Sequence, residues 1–493
     1  MTAPRVLAID QGTSGTTCLV VGADGAIAGR GYADVPVHYP RDGWVEQDAA
    51  DLWDSVLAAA KAAITAAGAP APVAVGITNQ RETAVVFDRR SQLPVAPAIV
   101  WQCRRSAALC AAHRERGEEA MVRARTGLLL DPYFTATKLE WLLGEQPELR
   151  ARARRGELCG GTVDTWLIAR MTGGDVVATD PSNASRTLLY NLAAGGFDDE
   201  LCALFSVPAA MLAEIRPSAG RVGVTDPSRF LGLRLPISGI AGDQQAALFG
   251  QACVHPGMSK NTYGTGSFVL VNAGTAVPAP VEGLLATVAW RLGQVDTFAL
   301  EGSIFVTGAG LAWLRDGLGL LAGADQAGPL FDSVPDSNGC TFVPALAGLG
   351  APFWDPGARG ALLGLSAGVT RAHVVRAVVE SMAYRTRDVV EAMEGAGGVV
   401  LGELRVDGGA SVMDGLCQFQ ADLLGLPVTR AGSPDTTAVG AAMLAAVGEG
   451  LVSAPDGVAA AYRAGRRFEP AHPGRRPEEP YRAWLRAVQR VRG

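Results

Sequence analysis

Residues 5–10 read as a buried strand, with the aliphatic residues Val6, Leu7, Ala8 and Ile9 between Arg5 and Asp10. A break rich in Gly and Thr follows. Apolar stretches 17–22 and 26–37 come next, separated by Asp24-Gly25, a dipeptide suited to a hairpin turn. Residues 51–66 switch to helical spacing, and 73–77 and 83–88 read as a second and a third buried strand. Helical patterns dominate from 100 to 240, and 235–250 reads as strand, loop, helix. Over 261–274 the opening pattern returns as a Gly/Thr turn leading into an apolar strand, with further strand-like runs at 284–291 and 296–301. Residues 371–394 predict a long helix with Thr370 as N-cap and Val374, Val375, Val378, Val379 and Met382 on one face. Residues 404–410 predict a strand that ends in Asp407 and two glycines, then a helix.

The expected fold is therefore α/β, in two halves that each open on a Gly/Thr hairpin. Gly250, Pro256 and Gly257 interrupt the pattern between them, which places the halves at 1–252 and 253–493.

Composition narrows the class. Of 493 residues 48% are hydrophobic, enough for a large core. No stretch approaches the ~18 uninterrupted apolar residues of a membrane span. The first residues carry no basic segment followed by an apolar one, so a cytoplasmic protein without a membrane span is expected. A net charge of -6 disfavours nucleic acid as a partner. Eight scattered cysteines without a C-x-x-C pair, and five dispersed histidines, argue against a disulfide framework or a zinc site. Lysine is rare: Lys61, Lys138 and Lys260 are the only ones.

The break after the first strand, Asp10 to Thr17, has the small residues that let backbone N–H groups approach an anion, yet it holds no cation. Asp10 at the strand end suits Mg²⁺ bound through water. Gly264-Thr265-Gly266-Ser267 repeats the chemistry, so two such loops can clamp one polyphosphate. Asp407-Gly408-Gly409-Ala410 adds a turn fit for close approach to a nucleotide. Arg81 and Glu82 are complementary to polyol hydroxyls if they share a cleft, and otherwise are solvated surface charges. Trp101 and Phe268 are core residues or an apolar wall for a carbon chain. Asp243 is either a helix N-cap or a general base beside the amide of Gln244. Two further matches are discounted. "GLGLLA" (317–322) follows a helix rather than a strand, and "GLSAG" (364–368) lacks a credible downstream acid and histidine.

Together "DQGTSG" (10–15), "GWVEQD" (43–48), "GITNQRET" (76–83), "DPYFTATKLEWLL" (131–143), "SGIAGDQQAALFGQ" (238–251), "KNTYGTGSF" (260–268) and "RVDGGAS" (405–411) resemble the FGGY carbohydrate kinase family, over nearly the whole chain. The resemblance implies two ribonuclease-H/actin-like domains with a central cleft, the first binding polyol and the second adenosine. It implies phosphorylation of glycerol to sn-glycerol 3-phosphate with ATP and Mg²⁺, and a homodimer or homotetramer. It places Arg81, Glu82, Trp101, Tyr133, Asp243, Gln244 and Phe268 around glycerol, with Asp243 as catalytic base. It places Thr13, Ser14, Gly15, Thr265, Gly308, Gly409 and Met413 at the nucleotide, and Asp10 and Asp243 at the metal. Kinases for another small polyol or a triose, and a non-catalytic actin-like ATPase, are the alternatives. Departures fall on the nucleotide side. Thr17 stands where the family has an arginine that reaches the phosphates, Ala312 where a glutamine is common, and Met413 where an asparagine is common.

Overall fold

The computed structural model describes residues 4–395 and 398–492. The first half opens on an antiparallel meander of β1 (Arg5–Gln11), β2 (Gly15–Gly22) and β3 (Ile27–Asp34). The helix α1 (Ala49–Ala67) packs across it. Asp48 caps its start by accepting from the Ala50 amide, and Gly68 ends it. Strand β4 (Ala74–Asn79) then pairs parallel to β1. After β5 (Ala219–Val224), β6 (Pro236–Gly242) pairs parallel to β4 and runs straight into the helix α2 (Asp243–Gly250).

The second half repeats this plan. Strands β7 (Met258–Tyr263), β8 (Ser267–Gly274), β9 (Leu285–Leu292) and β10 (Val295–Ile304) precede the helix α3 (Arg371–Gly395). Then come β11 (Glu403–Asp407), β12 (Val428–Ala431), the helix α4 (Thr436–Gly448) and β13 (Ala464–Phe468). Among the described residues thirteen strands make one sheet in the order β13-β12-β11-β7-β8-β10-β9-β5-β6-β4-β1-β2-β3. The run β3-β2-β1-β4-β6 and the run β10-β8-β7-β11-β12 share one topology. Each is a three-strand meander extended by two parallel strands. Helical crossovers are what allow those parallel neighbours. The halves join where β5 meets β9, at the single registered pair Ala219 and Leu292.

Two expectations need correction. The third strand spans only Val85–Asp88 and leaves the main sheet to pair with Leu158–Gly161. The cause is the preceding turn, where Glu82 takes φ 61 and redirects the chain. No loop separates β6 from α2. Gly242 is the N-cap and Asp243 the first helical residue, so Asp243 is not a cap. The long helix matches its prediction, with Val375, Val378, Val379 and Met382 buried against the core of the second half. The Thr370 hydroxyl meets His373 Nδ1 at 2.9 Å, while its carbonyl accepts from the Val374 amide.

The helix α4 crosses from the second half onto the first, packing on α2, β4, β6 and β1. Its sequence is apolar all round, "TTAVGAAMLAAVG", as a helix covered on several sides requires. Contact is backbone to backbone: a Cβ on Gly440 would lie 1.8 Å from the Ala246 carbonyl oxygen, and one on Gly76 would lie 2.1 Å from that of Ala441. Gly440→Ala should therefore cost at least about 1–3 kcal/mol of stability through overpacking. Urea denaturation tests this, and an unchanged midpoint would contradict so close a contact.

Candidate active site

The turn that ejects Glu82 from the sheet builds the floor of the cleft. Lys138 Nζ donates to the carbonyls of Glu82 (3.1 Å), Phe134 (3.2 Å) and Tyr133, and Thr135 Oγ1 donates to that of Glu82 (3.2 Å). These bonds hold a left-handed backbone that is otherwise unfavourable by about 1–3 kcal/mol. Arg81 and Glu82 are thereby buried side by side, at 2% and 1% exposure, rather than solvated.

Burying them requires partners. Arg81 Nη1 lies 2.5 Å from Glu301 Oε2 on β10. Arg186 bridges back, with Nε 2.6 Å from Glu82 Oε1 and Nη2 3.0 Å from Glu301 Oε1. Two arginines and two glutamates thus form a neutral buried lattice. Burial alone would raise the Glu301 carboxyl, but Arg186 and Arg81 outweigh it and hold the group at about 2. Around the lattice stand the aromatics. Trp101 and Tyr133 meet edge to face at 5.7 Å, Arg186 lies 5.9 Å from the Tyr133 ring, and Arg81 lies 5.8 Å from Phe268.

Asp243 and Gln244 sit on the first turn of α2. Asp243 Oδ1 takes the Gln244 amide at 2.7 Å and faces Arg81 Nε at 3.1 Å. Asp243 Oδ2 has no donor among the described residues, and the side chain is 30% exposed. Gln244 Oε1 accepts from the Nζ of buried Lys260. All seven predicted polyol residues thus belong to one contiguous constellation.

The two Gly/Thr loops answer the missing charge in part. Between β1 and β2 the amides of Thr13 and Ser14 donate to no protein group among the described residues, and between β7 and β8 the same holds for Thr265 and Gly266. Consecutive free amides of this kind make anion-binding nests. Thr13 Oγ1 is fixed by Trp101 Nε1 at 2.8 Å, and its carbonyl by Gln47 Nε2 at 2.7 Å. Gly15 lies inside β2, opposite Asp34. A side chain there would strike the Tyr32 hydroxyl, so a close strand contact explains this glycine. Thr265, Gly308, Gly409 and Met413 line one cavity of about 530 Å³ with Leu311 and Ala312. Thr13, Ser14 and Gly15 do not line it; they belong to the opposite jaw.

Asp10 pairs with Thr17 across β1 and β2. Burial, then the carboxylates of Asp243 and Asp435, raise its carboxyl to about 8. An anionic pocket of this kind fits a divalent cation. No three His, Cys, Asp or Glu side chains gather to ligate one directly among the described residues. Water would complete the shell, as Mg²⁺ prefers.

Sequence reasoning passed over Glu301, Arg186, Lys138 and Lys260 as site residues. Arg186 lies in "NASRTLLYN" (183–191), a stretch that shares the family resemblance without marking the arginine itself, and Glu301 sits in a strand with no local signature. The lysines carried a signal: only three occur, and Lys138 and Lys260, both buried here, lie in "DPYFTATKLEWLL" and "KNTYGTGSF".

Comparison with known proteins accords with this geometry. The model for the FGGY family of carbohydrate kinases, N-terminal domain, matches residues 5–250, and that for the C-terminal domain matches 259–449. A glycerol kinase of Carboxydothermus hydrogenoformans is 49% identical over 495 residues, covering 100% of this chain and 99% of the relative. One from Dechloromonas aromatica is 50% identical over 487 residues, covering 98% and 97%. Among solved structures, Plasmodium falciparum glycerol kinase with ADP superposes with a TM-score of 0.91 at 29% identity, covering 99% and 98%. Xylulose kinase from Rhodospirillum rubrum gives 0.87 at 25%, covering 99% of each chain.

Glu301→Gln should leave two buried guanidinium groups under-compensated and cost about 3–5 kcal/mol at pH 7. Because the folded carboxyl lies near 2 and an unfolded one near 4.5, this stabilisation is complete above pH 4.5 and is lost as pH falls toward 2. Thermal melting of both proteins from pH 7 to pH 3 should show the gap narrowing below pH 4.5. A gap that widens on acidification would refute the lattice.

Proposed function

This chain belongs to the FGGY family of carbohydrate kinases, and on that premise we propose that it transfers the terminal phosphoryl group of ATP to glycerol, giving sn-glycerol 3-phosphate. The observation that carries the reading is the half-engaged carboxylate of Asp243. Its Oδ1 is held by Arg81 and the Gln244 amide, and Oδ2 is left to accept a proton.

Glycerol lies against Trp101, Tyr133 and Phe268, with its hydroxyls held by Arg81, Glu82 and Gln244. The lattice holds Arg81 and Glu82 immobile, so the substrate meets groups already oriented. Glu82 has one oxygen committed to Arg186 and the other available to accept from a hydroxyl. Asp243 takes the proton of the attacking hydroxyl as the oxygen bonds to phosphorus, and ADP leaves. Phosphoryl transfer of this kind is mainly positioning and electrostatics. The free amides of Thr13, Ser14 and Thr265 receive the phosphate oxygens, and the cavity lined by Gly308, Gly409 and Met413 receives the adenosine. Mg²⁺, held through water by Asp10 and Asp243, would offset the charge of the phosphates. The two family domains divide the labour as 1–252 and 253–493, apart from α4, which reaches back onto the first.

A coupled assay with ATP and glycerol tests the reading, and absence of product at millimolar substrates would refute it. Asp243→Asn should lower kcat by about 10²–10⁴ with a smaller change in the KM for glycerol; near-normal turnover would remove Asp243 as the base. Thr17→Arg should place a guanidinium beside the first loop and tighten ATP binding about tenfold. Calorimetry showing equal or weaker affinity would mean the phosphates do not follow that loop.

A further inference from the structure

Lys260 lies on β7, in the half that carries the nucleotide cavity, yet its ammonium is committed to a residue of the other half. It is fully buried. Nζ donates to Gln244 Oε1 and, at 3.0 Å, to Thr262 Oγ1. The charged groups around it are Asp407 on β11, Asp243 on α2, Arg81 after β4 and Glu301 on β10.

The chemistry of this contact is directional. An ammonium has three donors and no acceptor, whereas a glutamine amide has one end that accepts and one that donates. With Oε1 turned to Lys260, Nε2 is the only end that Gln244 can offer elsewhere. Gln244 Nε2 has no partner among the described residues. The neighbouring carboxylate, Asp243, can only accept when ionised. A substrate hydroxyl between the two therefore meets one donor and one acceptor. Its oxygen lone pair faces the amide and its proton faces Asp243 Oδ2. Were the amide reversed, both neighbours would present oxygen, and the hydroxyl proton could turn from the base to the amide.

We propose that Lys260 is a positioning residue for phosphoryl transfer: it locks the Gln244 amide as a donor, so that the hydroxyl proton is directed to Asp243 and not to the amide. This rests on the assignment of Asp243 and Gln244 to the reacting hydroxyl made above. Lys260 does not touch the substrate; it acts through Gln244.

A double-mutant cycle separates this role from a structural one. Lys260→Met keeps the aliphatic stem and removes the donors, and Gln244→Met removes the amide that Lys260 is said to orient. Lys260→Met alone should lower kcat about tenfold to a hundredfold, the range for a hydrogen bond to a charged group, with less effect on the KM for ATP. In the Gln244→Met background the same change should cost less than threefold more. Independent, multiplying losses would overturn the proposal, because Lys260 would then act by another route.

Melting curves establish that each variant folds. If Lys260→Met does not fold, Lys260→Gln replaces it in the cycle, and an amide there, able to accept as well as donate, should still lower kcat at least fivefold. Full activity in Lys260→Gln would equally overturn the proposal. Failure of the underlying reading looks different: the unaltered protein would then form no glycerol 3-phosphate, and calorimetry would show no glycerol binding whichever residue stands at 260.

Discussion

The lattice of Arg81, Glu82, Arg186 and Glu301 is the constraint on which the cleft depends. Isolated, any of these charges would be too costly to bury, because desolvation exceeds what a single contact returns. Assembled, they neutralise one another and fix the chain at several points: the turn after β4, the segment that carries Arg186, and β10 of the second half. The lattice therefore spans both halves of the sheet. Lys138 supports it from beneath by holding the Glu82 carbonyl, which makes the unusual backbone of Glu82 a consequence of the charge arrangement rather than a local defect.

Electrostatics also explain the division of labour in the cleft. The polyol side is crowded with fixed charge, so its geometry is set before substrate arrives. The cavity proposed for the nucleotide is lined mainly by small and aliphatic residues, among them Leu311, Ala312 and Met413, with Arg315 and Asp325 as its charged members. Arg30 on β3 pairs with Asp435 at 3.2 Å, and Arg81 faces Asp243 at 3.1 Å.

Much of this was legible in the sequence, and the reason is local. Strands buried on both faces announce themselves as aliphatic runs, and the repeated Gly/Thr breaks marked the two equivalent hairpins. The seven polyol residues lie in motifs whose order along the chain carried their meaning. What escaped were relationships between distant segments. Glu301 reads as one acid in a strand, and nothing near it indicates that Arg81, 220 residues away, needs it. The strand at Val85–Asp88 was legible from its apolar pattern, but its partner was not, because that is decided by the turn at Glu82. The helix α4 hid its role because an alanine-rich helix has no preferred face; only the glycines on both sides of the contact betray how near it comes.

The bond from Trp101 Nε1 to Thr13 Oγ1 joins the proposed polyol wall to the proposed first phosphate loop through one pair of side chains. Two ligands that bear on the ends of one such bond are thermodynamically linked. Whatever factor glycerol imposes on nucleotide affinity by settling Trp101, nucleotide must impose on glycerol affinity by settling Thr13. On the proposed assignment of the two sites, such linkage would need no rearrangement of the halves.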